Sequence, residues 1–106
     1  MMAFLLYNCH MPTSKEFLNY VLELLRDVKD VSYKYMMSEY ILYKDNVIFG
    51  GVYDNRFLIK ITKSSKEYGL KEQLPYPGAK PMYLVDIENS EEIKELVLQV
   101  CADLTK

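Results

Sequence analysis

The chain contains no tryptophan, a single histidine, two cysteines, four glycines and four prolines in 106 residues. Cys9 and Cys101 stand near opposite ends. They have neither the density of a disulfide-stapled scaffold nor the local pairing of a zinc site, and are read as free thiols. With His10 as its one imidazole, the chain has almost nothing from which to build a histidine metal centre or a histidine-activated nucleophile. No catalytic residue, metal or cofactor is therefore assigned. A run of membrane-spanning length is missing too: Met1 to Tyr7 is apolar but short, has no basic residue before it and no cleavage pattern after it. The expected setting is the cytoplasm. Neither sign of charge dominates, since 13 basic residues face 15 acidic ones for a net charge of −2. That balance argues against direct nucleic-acid binding.

Half of the composition is hydrophobic, enough for one modest core and too little chain for two. Residues 1–12 read as an extension and residues 13–106 as one domain. Thr13 with Glu16 has the spacing of a capping box, and Phe17, Leu18, Val21, Leu22, Leu24, Leu25 and Val28 recur at helical intervals, which predicts a helix over residues 14–28. From Tyr33 the period falls to two. Asp45-Asn46 and Asp54-Asn55 are suited to two-residue hairpin turns, so strands are expected at 39–44, 47–53 and 56–61, with a fourth from Tyr33 to Met37. Ser64, Glu67 and Gly69 mark a short helix. The prolines and glycine between Leu74 and Pro81 mark a loop, Met82 to Asp86 a short strand. Asn89 or Ser90 then caps a final helix with Ile93, Leu96, Val97, Val100, Cys101 and Leu104 on one face. The expected fold is α+β: an antiparallel meander of about five strands flanked by an N-terminal and a C-terminal helix, plus one short helix.

With two residues in each turn the register is fixed, and Ile41, Tyr43, Ile48, Gly50, Val52, Phe57, Ile59 and Ile61 are expected on one sheet face, as a seat for the long helices. Tyr40, Leu42, Val47, Phe49, Gly51, Tyr53 and Leu58 would then lie on the other, with Tyr40 opposite Gly51. This second face is too apolar to be left to water. Its cover would be the N-terminal extension, the loop around Tyr76, a second copy of the chain or a partner protein. Tyr40, Leu42, Phe49 and Leu58 are accordingly the candidate residues for protein binding or homodimer formation. Charge segregates as well: six basic residues against two acidic ones lie between Arg56 and Lys80. Arg56, Lys60, Lys63 and Lys80 are the candidate anion-binding residues.

The runs Tyr35-Met36-Met37-Ser38-Glu39-Tyr40-Ile41-Leu42-Tyr43, Val47-Ile48-Phe49-Gly50-Gly51-Val52-Tyr53 and Arg56-Phe57-Leu58-Ile59-Lys60 resemble the N-terminal domain of the TfoX (Sxy) family. Leu74-Pro75-Tyr76 and Gly78-Ala79-Lys80-Pro81-Met82 extend the likeness over about residues 13 to 105. Ser38 departs from the glycine often found there. The resemblance implies an antiparallel sheet flanked by helices and a regulatory role, since family members act in natural competence together with the cyclic-AMP receptor protein. The expected function is thus a non-enzymatic regulatory or protein-interaction module, the alternative a small anionic-ligand binder or enzyme.

Overall fold

The computed structural model describes residues 13–106, so the readings of Cys9, His10 and the 1–12 extension fall outside it. The fold is α+β. Helix α1 (Lys15–Leu24) is followed by strands β1 (Val31–Met36), β2 (Glu39–Lys44), β3 (Val47–Tyr53) and β4 (Arg56–Ile59). A 3-10 turn (Ser65–Tyr68), strands β5 (Glu72–Gln73) and β6 (Met82–Leu84), and helix α2 (Ser90–Leu104) complete the chain. The described strands form one antiparallel sheet in the order β1-β2-β3-β4-β6-β5.

Both expected hairpin turns are present, and a third, Met37-Ser38, joins β1 to β2. All six central residues have positive φ, from 51° to 72°. That is the backbone whose twist matches paired strands, and after glycine Asn and Asp tolerate it best. Gly69 stops the 3-10 turn in the left-handed conformation expected of it. Helix α2 starts where Asn89 Oδ1 accepts from the backbone N–H groups of Glu91 and Glu92, and buries Ile93, Leu96, Val97, Val100 and Cys101.

The start of α1 differs from the capping box read in the sequence. Ser14 is the cap, its hydroxyl accepting from Phe17 N at 3.1 Å. The Thr13 hydroxyl is engaged elsewhere: it donates to buried Glu39 Oε1 at 2.8 Å and accepts from Asn55 N at 3.3 Å. Glu39 Oε1 also accepts from Asp54 N at 3.1 Å. Two turns and a helix start are thereby tied together at one end of the sheet. Thr13→Val keeps the shape and removes the hydroxyl, so urea unfolding should show a loss of about 1–3 kcal/mol, the cost of withdrawing a donor from a buried carboxylate. The helix itself stops at Leu24, four residues short of the expectation. The next residues fold into tighter turns through Arg26 N to Glu23 O and Val28 N to Leu25 O, which still bury Leu25 and Val28.

The assignment of sheet faces changes because of one irregularity. An uninterrupted β2–β3 hairpin would set Leu42 opposite Phe49. Instead Tyr43 pairs with Ile48 and Leu42 with Gly50, leaving Phe49 as an extra, bulged residue. Side chains of β2 and of the first part of β3 are thereby exchanged between faces relative to the rest of the sheet. Tyr40, Leu42, Phe49, Val52, Phe57 and Ile59 all join Leu18, Val21, Ile93, Leu96, Val97 and Val100 in one core beneath the helices. The expected binding set of Tyr40, Leu42, Phe49 and Leu58 is corrected accordingly. Its first three members are core residues, and Leu58, fully buried, points to the opposite face, paired with Gly51 and Leu84. Ile41, Tyr43, Ile48, Tyr53 and Leu58 thus share the face that carries no helix.

Candidate functional site

The helix-free face is roofed by the segment 74–81 that connects β5 to β6. Three prolines and Gly78, at φ 86°, keep this segment out of the ladder, and Ala79 N closes a turn on Tyr76 O at 3.1 Å. Arg56 fastens it. The guanidinium donates to Tyr53 O at 3.2 Å, to Gln73 Oε1 at 2.8 Å and to Pro75 O at 3.2 Å. Such a planar fork suits fixed acceptors. Arg56, expected to meet an anion, is therefore committed to holding the roof.

Between roof and sheet lie two clefts that share Tyr53 and Tyr76 as a common wall. The larger, about 650 Å³, is bounded by Ile48, Ile61, Met82 and Leu104, with Lys60 and Lys80 at its margin. The smaller, about 500 Å³, lies toward Met36, Met37, Glu39 and Ile41. Volumes of this order, apolar walls and a few polar groups are the usual make-up of small-molecule sites. Lys60 leaves the end of β4 and Lys80 the end of the roof, so two cations far apart in sequence meet at one cavity. Among the described residues neither ammonium lies within ion-pair distance of a carboxylate. Lys63 is exposed beyond β4 and does not line either cleft. Of the four expected anion-binding residues, the structure brings two together.

Tyr53 takes its position from Gly51. A Cβ at that glycine would lie 2.6 Å from Tyr53 Cε2, so the ring lies across the bare backbone. The aromatic expected there was Tyr40, which the bulge moves to the core; Ile41 is the residue paired with Gly51.

No family model matches the chain. A protein of Spirochaeta aurantia, described as an uncharacterized 12.7 kDa protein in the trpE 5′ region, is 34% identical over 73 residues. The match covers 65% of this chain and 64% of that protein, so the chain spans a little under two thirds of its relative's length.

Burial, then the neighbouring Tyr76 and Glu39, push the Tyr53 phenol above its ordinary pKa, so it stays a neutral hydroxyl at physiological pH. Cys101 is buried in the core, and desolvation raises its thiol pKa, the opposite of what an activated nucleophile needs. Among the described residues no three acidic, histidine or cysteine side chains cluster as a metal site, and no described helix is long and apolar enough to cross a membrane. The residues least visible in the sequence were Ile48 and Met82, whose roles as cleft walls depend on the bulge and on how the 74–81 segment folds back.

Proposed function

We propose that this domain is a binding module that takes a small amphipathic anion, an aromatic or branched aliphatic body bearing a carboxylate or phosphate, in the cleft beneath the 74–81 roof. One observation carries the reading: Lys60 and Lys80 border the same apolar-walled cavity without a carboxylate partner among the described residues. The apolar wall would take the body of the ligand, the two ammonium groups its charge, and the Tyr53 hydroxyl a further hydrogen bond. The likeness to TfoX N-terminal domains supports a regulatory use of such binding.

Phenyl phosphate tests this against two controls, inorganic phosphate and phenol. Phenyl phosphate should raise the melting temperature in proportion to its concentration, with much smaller effects from either control, since both halves of the site are needed. Lys60→Ala and Lys80→Ala should each weaken binding by about fivefold or less, the worth of a partly exposed charge contact, and by more together. The melting temperature without ligand should stay unchanged. Equal binding by the double variant, or no shift with phenyl phosphate, rejects the site.

A further inference from the structure

From the edge of the sheet we infer that β1 is the contact through which two copies of this chain associate, forming one continuous antiparallel sheet across a twofold axis. The inference is independent of the cleft. Among the described residues β1 pairs with β2 on one side and has no strand on the other. An unpaired row of backbone donors and acceptors is a template for another strand, and proteins that keep such an edge single protect it with proline, bulges, shortness or several charges. Of these β1 has only one charge, Lys34. Its six residues run without irregularity against β2. The described residues leave both faces of the strand largely open: every residue from Ser32 to Met37 is exposed, Tyr35 at 57% and Met37 at 88%, with Lys15 of α1 lying over the Tyr33 ring at 5.6 Å. An edge that the described residues leave open, bearing two tyrosines and a methionine with Met37 in the turn beyond it, is a costly thing to leave in water.

The occupant is read from the strand's own sequence. In a twofold antiparallel pair, facing residues must come from the same side of the sheet, so the axis passes a residue and not the gap between two. An axis at Lys34 would set two ammonium groups face to face, which is repulsive. An axis at Tyr33 avoids this. It sets Tyr33 against Tyr33, Val31 against Tyr35 and Lys34 against Ser32 of the second copy. The first two are aromatic and aromatic–β-branched pairs, among the favourable cross-strand combinations. The rings are already arranged for it: Tyr33 and Tyr35 both pack on buried Tyr40, at centroid distances of 5.6 and 5.0 Å. The result is an isologous interface in which one patch meets its own copy.

Light scattering on the full chain across a concentration series should show a monomer–dimer equilibrium. Tyr33→Lys puts like charges opposite each other and should raise the dimer dissociation constant by about tenfold or more. Tyr35→Lys, at a more exposed position, should weaken it as well and serves if the first variant fails to fold by circular dichroism. Disulfide trapping in a Cys9→Ser background reads the register: Tyr33→Cys should give covalent dimer efficiently, Lys34→Cys much less. A monomer at every concentration, a dimer indifferent to both lysine substitutions, or preferential trapping at position 34 overturns the proposal.

Discussion

Replacing Phe49 with alanine should cost about 3–5 kcal/mol, the usual loss for a fully buried phenylalanine, whereas Ile48→Ala, one residue earlier, should cost well under half of that. Phe49 has no exposed surface and lies in the core with Leu42, Val52 and residues of both helices. Ile48 is 37% exposed on the opposite face. A domain of this size has only about 5–15 kcal/mol of stability in all, so the first variant should show a much lower urea midpoint and the second a modest shift. The comparison is sharp because an uninterrupted hairpin assigns these two side chains the reverse way. If Ile48→Ala proves the more damaging, the bulge is absent and the described core is wrong.

Gly50→Ala is expected to be harmful too, for a different reason. A Cβ at this position would run into the carbonyl oxygen of Leu58 and lie 3.1 Å from Ile59 Cα. Both are backbone atoms of the neighbouring strand, so neither can swing away. The substitution should gain a few tenths of a kcal/mol from a stiffer unfolded chain and lose more to the overlap, for a net loss of about 1–3 kcal/mol. Gly51→Ala meets both kinds of neighbour, since its Cβ would lie 2.6 Å from the Tyr53 ring, which can turn at the expense of the cleft wall, and 2.8 Å from the backbone carbonyl oxygen of Tyr40, which cannot. Both variants should therefore lower thermal stability, and Gly51→Ala should in addition weaken the binding of phenyl phosphate. Equal melting temperatures for wild type and Gly50→Ala would refute the close approach of β3 and β4.

Much of the fold could be read from local chemistry. Asp45-Asn46 and Asp54-Asn55 identify their turns because few other residues accept positive φ, and the spacing of Ile93, Leu96, Val97 and Val100 identifies a helical face without reference to anything distant. Local pattern fails where a tertiary choice intervenes. Thr13 has the chemistry of a helix cap, yet Glu39 claims its hydroxyl from 26 residues away and Ser14 takes the cap. The bulge at Phe49 leaves the hydrophobic alternation of β2 and β3 intact within each strand, so that alternation does not signal the change of face. Gly50-Gly51 was the available sign, since paired glycines inside a strand mark close approach or irregular pairing. The charged residues illustrate the same limit: sequence clustering grouped Arg56 with Lys60, Lys63 and Lys80, but the function of each depends on what stands in front of it. Arg56 meets carbonyl oxygens, Lys63 faces solvent, and Lys60 and Lys80 face a cavity.

The threefold grip of Arg56 has a mechanical consequence. Its acceptors belong to the last residue of β3, to β5 and to the segment above the sheet, so floor and ceiling of the cavity are riveted at one point and shift as a single body. A ligand of the proposed kind would then meet its tightest fit beside Arg56, and a flat ring would suit that place better than a bulkier frame.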